Sequence, residues 1–356
     1  MQQFQGVGHK HVCVEHRRYH VAMKAVAYQK SGPADVLVDV ELPDPVASGR
    51  DVLVEVCAVS VNPIDCKVRT RAAPPSGEWK TLGWDVAGVV KSVGADVRSF
   101  APGDKVWYAG SLERDGANAQ LHLVDERLVA RLPENLSFSA AAAMPLTSIT
   151  AWEMLFDRLA VERAVPGAQE VVLIIGAAGG VGSVAVQLAR QLTGLSVVAT
   201  ASRPQTVSWV QSLGAHHVVD HSQPLAPQFA EQGIAAPAFV FSIQSTHSYV
   251  EQIADLIAPQ GRFGLIDDPD VFDLKLFKRK SVSVHWESMF TRSSFETVDM
   301  DEQGKLLTKL SVLVETGHIR STLTDVAGPI NAENLIAAHK RIESGTSRGK
   351  IVLEGF

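Results

Sequence analysis

The chain has 356 residues, 46% of them hydrophobic and 20% charged, with a formal net charge of −6. That length predicts two domains, and a chain able to bury so much apolar surface is not a disordered one. No basic face or tail asks for nucleic acid, the longest apolar runs stop well short of the roughly 18 residues of a membrane span, and the three cysteines (Cys13, Cys57, Cys66) form neither a disulfide framework nor a Cys-x-x-Cys pair, so a reducing cytoplasm is expected.

Residues 1–22 are polar and basic and lack the apolar stretch of a signal peptide, so they read as a disordered upstream extension. Its histidines, His9, His11, His16 and His20, would hold metal only on a fixed scaffold, and a solvated tail is expected instead. Met23 opens the first periodic segment. From there to Gly94 the pattern is all-β: residues 24–28 and 51–60 alternate in polarity, and Pro43, Pro45, Ser48 and Gly49 punctuate the chain between them. Residues 82–94 give a glycine-rich turn, a strand and another turn, and residues 102–107 a turn leading into a strand. These short strands predict a compact antiparallel barrel ahead of an α/β part.

The α/β part begins at Thr150. Residues 151–159 are expected to be helical, and Val171 to Ile175 form an unbroken aliphatic run, as in a parallel strand buried on both faces. Gly176, Gly179, Gly180 and Gly182 follow at once, after which Val181, Ala185, Leu188 and Leu192 line one helical face. Between a strand and a helix, such glycines let the backbone approach a diphosphate, and the helix N-terminus offers it free N–H groups. Ala177 replaces the first glycine of the Gly-x-Gly-x-x-Gly pattern, but strand and helix stand where a dinucleotide site needs them.

Residues 195–200 make the next strand, which runs into Ser202-Arg203. An NAD site usually carries an acid near this point, whereas residues 191–219 contain none. Ser202 and Arg203 instead offer a hydroxyl and a guanidinium to a 2′-phosphate, so NADPH is the expected cofactor. Strands at 217–219, 238–243, 262–266 and 281–285, with a helix at 247–257, complete a doubly wound parallel sheet of six strands. Ser242 and Ile266 end their strands on its ligand side. Trp286 to Phe290 form an aromatic cluster at the return crossing, suited either to wall a cleft or to fill an interdomain core. Helices at 304–316 and 331–344 precede a closing strand at 350–353.

Five motifs occur in order: Gly83-x-Asp85-x-Ala87-Gly88, Pro102-Gly103-Asp104-Lys105-Val106, Leu146-Thr147-Ser148-Ile149-Thr150-Ala151-Trp152, the run from Gly176 to Gly182, and Gly349-Lys350-Ile351-Val352-Leu353. Together they resemble the medium-chain dehydrogenase/reductase superfamily from about Met23 to the C-terminus, and within it the zinc-free quinone oxidoreductase branch. The resemblance implies a GroES-like β-barrel catalytic domain built from residues 23–149 and 288–356, and a Rossmann domain from residues 150–287. Zinc-dependent relatives hold their metal at positions that match Asn62, Trp84 and approximately Leu146, none a conventional zinc ligand, so no metal is expected.

Asn62-Pro63-Ile64-Asp65 matches the branch's Asn-x-x-Asp motif, which implies that Asn62 lies beside the nicotinamide and that its amide donates to a substrate oxygen. Lys67 stands where some relatives carry a tyrosine, and is a proton donor, a cofactor phosphate contact or a surface lysine. Asp65 is expected to fix the loop, and His221 falls where relatives place an aromatic residue over adenine. The expected cofactor contacts are Asn62, Thr150, Gly179, Gly180, Val181, Ser202, Arg203, His221, Ser242 and Ile266, and the expected catalytic residues Asn62 and Lys67. The implied function is zinc-independent, NADPH-dependent hydride transfer to a quinone or conjugated carbonyl, a small-molecule acceptor, by a homodimer. The alternatives are an enoyl-thioester reductase and, from another class, an NADPH-binding protein without turnover.

Overall fold

The computed structural model describes residues 22–356. The expected leader and its histidines lie outside the described residues, except that Ala22 already opens the first strand, Ala22–Tyr28. That strand pairs antiparallel with Val38–Pro43 and with Lys80–Thr81 to make a three-stranded sheet. A second sheet is centred on the eleven-residue strand Asp51–Val61. One edge of this strand meets Val86–Val93 along most of its length, while the other is shared by Leu121–Asp125 at the start and Lys350–Glu354 at the end.

The expected barrel is corrected here, because the GroES-like part does not close. The seven-stranded sheet ends at Leu323–Val326 on one side and at Ala130–Arg131 on the other, and these do not pair with each other. Forking at the long central strand spends the pairing capacity that closure would need. The short Ala130–Arg131 edge is covered instead by the helix Glu302–Glu315, whose Ser311 hydroxyl donates to the Arg131 carbonyl at 2.9 Å.

The remaining strands form one parallel sheet in the order His217–Val219, Ser196–Thr200, Gln169–Ile175, Pro237–Ser242, Arg262–Leu265, Ser283–Trp286. The chain winds outward both ways from Gln169–Ile175, so the switch point, where α/β sheets bind ligands, lies between this strand and Pro237–Ser242. Both faces are covered. Val172, Ile174, Val197, Phe239 and Phe241 belong to the large core shared with the N-terminal sheets, while Leu173, Ile175, Val198, Val240 and Phe263 form a smaller core on the opposite face. That is why these strands read as continuous apolar runs rather than as alternation.

The helix Gly180–Leu192 is buried over more than the one face its periodicity suggests, because it lies between the parallel sheet and the helix Pro145–Trp152. Gly182 permits the close approach: a Cβ there would stand 2.5 Å from the Ala177 Cα. The helix expected at 151–159 starts earlier, at Pro145, and passes into a π-helical turn, Glu153–Arg158. Among the described residues no helix is long and apolar enough to cross a membrane.

Candidate active site

At the switch point the helix Gly180–Leu192 begins with Gly179 at its N-cap and no side chain on its first N–H groups. These donors, which no intrahelical carbonyl can satisfy, face a cleft of about 830 Å³ lined by Gly176, Gly179, Gly180 and Val181. Gly349 bonds alongside this turn, its N–H donating to the Ala178 carbonyl at 2.9 Å, and so delivers Lys350 to the cleft floor. A Cβ on Gly180 would come within 2.7 Å of Lys350 Cδ and 3.0 Å of Thr147 Cγ2, so only glycine fits without displacing the floor. An uncapped, glycine-lined helix start fits a dinucleotide diphosphate.

The floor itself is ionic and closed to water. Lys350 is 3% exposed, and its ammonium reaches Asp85 at 3.1 Å, the Val61 carbonyl at 3.2 Å and the Asn62 side-chain oxygen. Asp85 also accepts from the Ser60 hydroxyl at 2.6 Å, the Asn62 amide at 3.2 Å and the Leu146 N–H at 3.1 Å. Burial pushes the Asp85 carboxyl up and the Lys350 ammonium down, each toward its neutral form. The four donors around the Asp85 carboxylate, Lys350 first, oppose its rise, and Asp85 opposes the fall at Lys350, so each member of the pair favours the charged form of the other.

Asp65 lies behind it, pushed up to about 7 by burial, with the Asn62 N–H and then Lys350 opposing the rise. Its oxygens accept from the Asn62 N–H at 2.7 Å and the Gly83 N–H at 3.0 Å, which fixes the start of the helix Pro63–Arg71.

Asn62 therefore sits at the cleft but points inward. One amide hydrogen meets Asp85 and the other the Ser60 carbonyl at 3.4 Å, while Lys350 holds the oxygen. No hydrogen is left to donate to a substrate oxygen, unlike the sequence expectation. Lys67 stands at the rim on the helix Pro63–Arg71, where its ammonium bridges the cleft mouth to Asp268 at 2.9 Å, with Arg71 3.9 Å from the same carboxylate. The opposite wall contains Ile266, Trp286, Met289 and Phe290. Of these, Trp286 is half exposed in the cleft, whereas Phe290 is buried edge-on against Trp84 at 6.3 Å. The aromatic cluster thus serves as both wall and core.

Thr150 also lines this cleft, so seven of the expected residues meet there: Asn62, Lys67, Thr150, Gly179, Gly180, Val181 and Ile266. Ser242 does not, since its hydroxyl is wholly buried against that of Thr246 at 2.7 Å and the next residues, Ile243 to Ser245, reach the cleft instead. Ser202, Arg203 and His221 gather at a second corner. The Ser202 hydroxyl is 3.4 Å from His221 Nε2, and both Arg203 terminal nitrogens donate to the Thr346 carbonyl at 3.1 Å. Arg348, two residues further on, lies over the Trp209 ring at 5.2 Å.

Sequence reasoning missed the roles of Lys350 and Asp85 in the cleft floor and the placing of Arg348 over Trp209. The first two stood inside quoted motifs, and the available signal was a charged residue placed within an apolar strand or glycine turn.

The positions that correspond to zinc ligands do not fit the metal. Asn62 is fully engaged, and Trp84 is buried with its indole N–H donating to the Ser111 carbonyl at 2.9 Å. Cys66 lies elsewhere, its thiol pushed up to about 12 chiefly by burial and 3.5 Å from His339 Nδ1. Among the described residues no three His, Cys, Asp or Glu side chains are grouped to hold a metal ion.

Residues 48–134 match the family model for the alcohol dehydrogenase GroES-like domain, and residues 213–353 that for zinc-binding dehydrogenases. A zinc-type alcohol dehydrogenase-like protein of Staphylococcus aureus is 39% identical over 315 residues, covering 87% of this chain and 92% of that one. The chain belongs to the medium-chain dehydrogenase/reductase superfamily. Within it the chain falls in the quinone oxidoreductase-like branch and is an oxidoreductase of that superfamily.

A crystal structure from Rhizobium etli CFN 42, whose name suggests a zinc-dependent alcohol dehydrogenase, superposes with a TM-score of 0.93 at 60% identity, covering 95% of this chain and 99% of the other. The Escherichia coli quinone oxidoreductase complexed with NADPH superposes with a TM-score of 0.78 at 25% identity, covering 93% and 99%. The zinc in several of these names disagrees with the residues present here.

Proposed function

We propose that this superfamily member is an NADPH-dependent, metal-free reductase of quinones or conjugated carbonyls, with catalytic and nucleotide-binding parts divided at residues 149/150 and 287/288. The observation that carries this reading is one cleft that joins an uncapped glycine-lined helix start to an apolar, aromatic wall. The name of the Escherichia coli neighbour supports it, as does a Solanum lycopersicum relative called 2-methylene-furan-3-one reductase, 30% identical over 93% of this chain and 79% of that one. NADPH rather than NADH is supported by the Ser202–Arg203 corner, where residues 191–219 supply no acid for a ribose hydroxyl.

A dinucleotide whose diphosphate is held at the glycine turn would supply the hydride from its reduced nicotinamide. Gly179, Gly180 and Val181 offer N–H groups to the diphosphate, and Arg203 a guanidinium to the 2′-phosphate. Hydride addition to a quinone, or to the β-carbon of a conjugated carbonyl, leaves an oxygen anion spread over the conjugated system, and one proton completes the reduction. That proton comes from water or from Lys67 at the rim. Ile64, Val68, Trp286 and Met289 hold the acceptor by apolar contact.

The test is to follow NADPH oxidation against ortho- and para-quinones, alkenals, enones and enoyl thioesters. Consumption with a quinone or enone is expected. Oxidation of benzyl alcohol with NADP⁺ faster than any such reduction would overturn the assignment, as would NADPH binding without consumption.

A further inference from the structure

The chain passes between its N-terminal sheets and the parallel sheet twice. It leaves through the helix Pro145–Trp152 and the turn Glu153–Arg158, and it returns through residues 287–290 after the strand Ser283–Trp286. Each crossing carries one buried glutamate, Glu153 at 1% and Glu287 at 3% exposure, and the Gln303 amide brings the crossings together by donating to Glu153 Oε1 at 3.2 Å and to the carbonyl of Met289, two residues beyond Glu287. Two carboxylates close together away from water repel strongly unless a proton or a cation stands between them.

Counting the charges around them shows which it is. Glu153 Oε1 accepts from Arg292 at 2.6 Å and from the neutral Gln303 amide at 3.2 Å. Arg292, however, is shared with Asp157 at 3.1 Å and Asp299 at 3.0 Å. Glu287 has only Arg158, 2.7 Å away but off the line of a hydrogen bond and one-third exposed to water. His285, on the same return strand, is kept toward its neutral form by burial and by Arg262 and Arg158, and Lys309 is turned onto the Trp152 ring. Two arginines thus face four carboxylates, and of these Asp157 and Asp299 are partly solvated while Glu153 and Glu287 are not, so the buried pair is short of one positive charge.

We infer that Glu153 and Glu287 share one proton, and that this bridged pair positions the cleft wall by tying the two crossings together. Thr150 stands three residues before Glu153, and Trp286, Met289 and Phe290 flank Glu287, so the spacing of the two glutamates sets the spacing of the acceptor's walls. Burial, and then the charge of Glu153, push the Glu287 carboxyl up to about 8, the direction that sharing requires. Loss of the proton leaves two like charges close together and drives the crossings apart. These are positioning residues, not catalytic ones.

The test compares the parent protein with Glu287→Gln, whose amide donates permanently to Glu153. Glu287 binds its proton more tightly folded than unfolded, so its contribution to stability is complete below about pH 4.5 and is lost as pH rises through about 8. Within that window the parent's unfolding constant in urea, relative to Glu287→Gln, should rise about tenfold per pH unit and level off above it. If NADPH turnover with an acceptor is found, the acceptor KM of the parent should also rise severalfold between pH 7 and 9 and that of Glu287→Gln should not. Glu153→Gln, which still accepts from Arg292 and gives Glu287 an amide donor, should flatten the profile in the same way and serves should the first variant not fold.

Parallel pH profiles for parent and variant would overturn the inference. The kinetic arm rests on the proposed function. Failure of every acceptor would sink that reading, while the unfolding profile would still decide the shared proton.

Discussion

Lys350→Met removes one member of the buried ionic floor and leaves the rest in place. Asp85 is fully buried, and without the ammonium its charge is compensated only by the Ser60 hydroxyl, the Asn62 amide and the Leu146 N–H. Breaking one side of a buried pair costs about 3–5 kcal/mol, because a charge is stranded rather than because a contact is lost. Three surviving donors place the charge penalty near the lower end. The Asn62 oxygen and Val61 carbonyl lose their donor as well, so a total of about 4 kcal/mol is expected at pH 7.

Adding Asp85→Asn removes the stranded charge and should return at least about 2 kcal/mol, so the double variant should be more stable than the single one. The pH dependence has a definite sign. Burial already raises the Asp85 carboxyl, and losing Lys350 raises it further, so the folded single variant takes up a proton more readily than its unfolded chain. Its stability therefore recovers as pH falls, and its deficit against the parent should be smaller at pH 5 than at pH 7. Equilibrium urea unfolding of the four proteins measures all of this. A deficit under about 1 kcal/mol at pH 7, or no recovery in the double variant, would refute a buried ion pair here.

Arg203→Ala should weaken NADPH binding about tenfold or more and leave NADH nearly unchanged, since a charged hydrogen bond is worth roughly 1.5–3 kcal/mol and only NADPH carries the 2′-phosphate. Fluorescence titration with both cofactors checks it, and equal losses would contradict the assignment. Gly180→Ala puts a methyl group 2.7 Å from the middle of a lysine side chain that is anchored at its end. A loss of about 1–3 kcal/mol in stability is expected, together with weaker NADPH binding, and parent-like values in both would show that the floor yields.

The parallel sheet was legible because its strands are covered on both faces, so Val171 to Ile175 and its neighbours are apolar throughout and end in turn residues. Closure of the N-terminal sheet was not, because it depends on which edges pair, and short alternating strands look alike in a barrel and in a forked sheet. The helix Pro63–Arg71 was hidden by its own chemistry. Its exposed face is polar and it has little apolar stripe, although Pro63 at the first helical position and Asp65 reaching back to the Asn62 N–H are recognisable start signals. Lys350 was read as part of a closing strand. Strand periodicity shows which side a residue takes, but its carboxylate partner lies 265 positions away in sequence.

The inward turn of Asn62 bears on which substrates the proposed reductase can accept. In a cleft whose amide hydrogens are spent on Asp85 and Ser60, an oxygen anion formed by hydride addition finds no Asn62 donor waiting for it. Releasing that donor would strand part of the Asp85 charge, a cost of the same order as the roughly 1.5–3 kcal/mol that a hydrogen bond to the anion would return. An unconjugated ketone, whose charge localises on one oxygen, depends on such a donor. A quinone or conjugated carbonyl disperses the charge over its own framework and needs orientation more than stabilisation, which the half-exposed Trp286 and its apolar neighbours can supply. The Lys350–Asp85–Asn62 network at the cleft floor thus favours electron-poor, delocalised acceptors on the proposed reading.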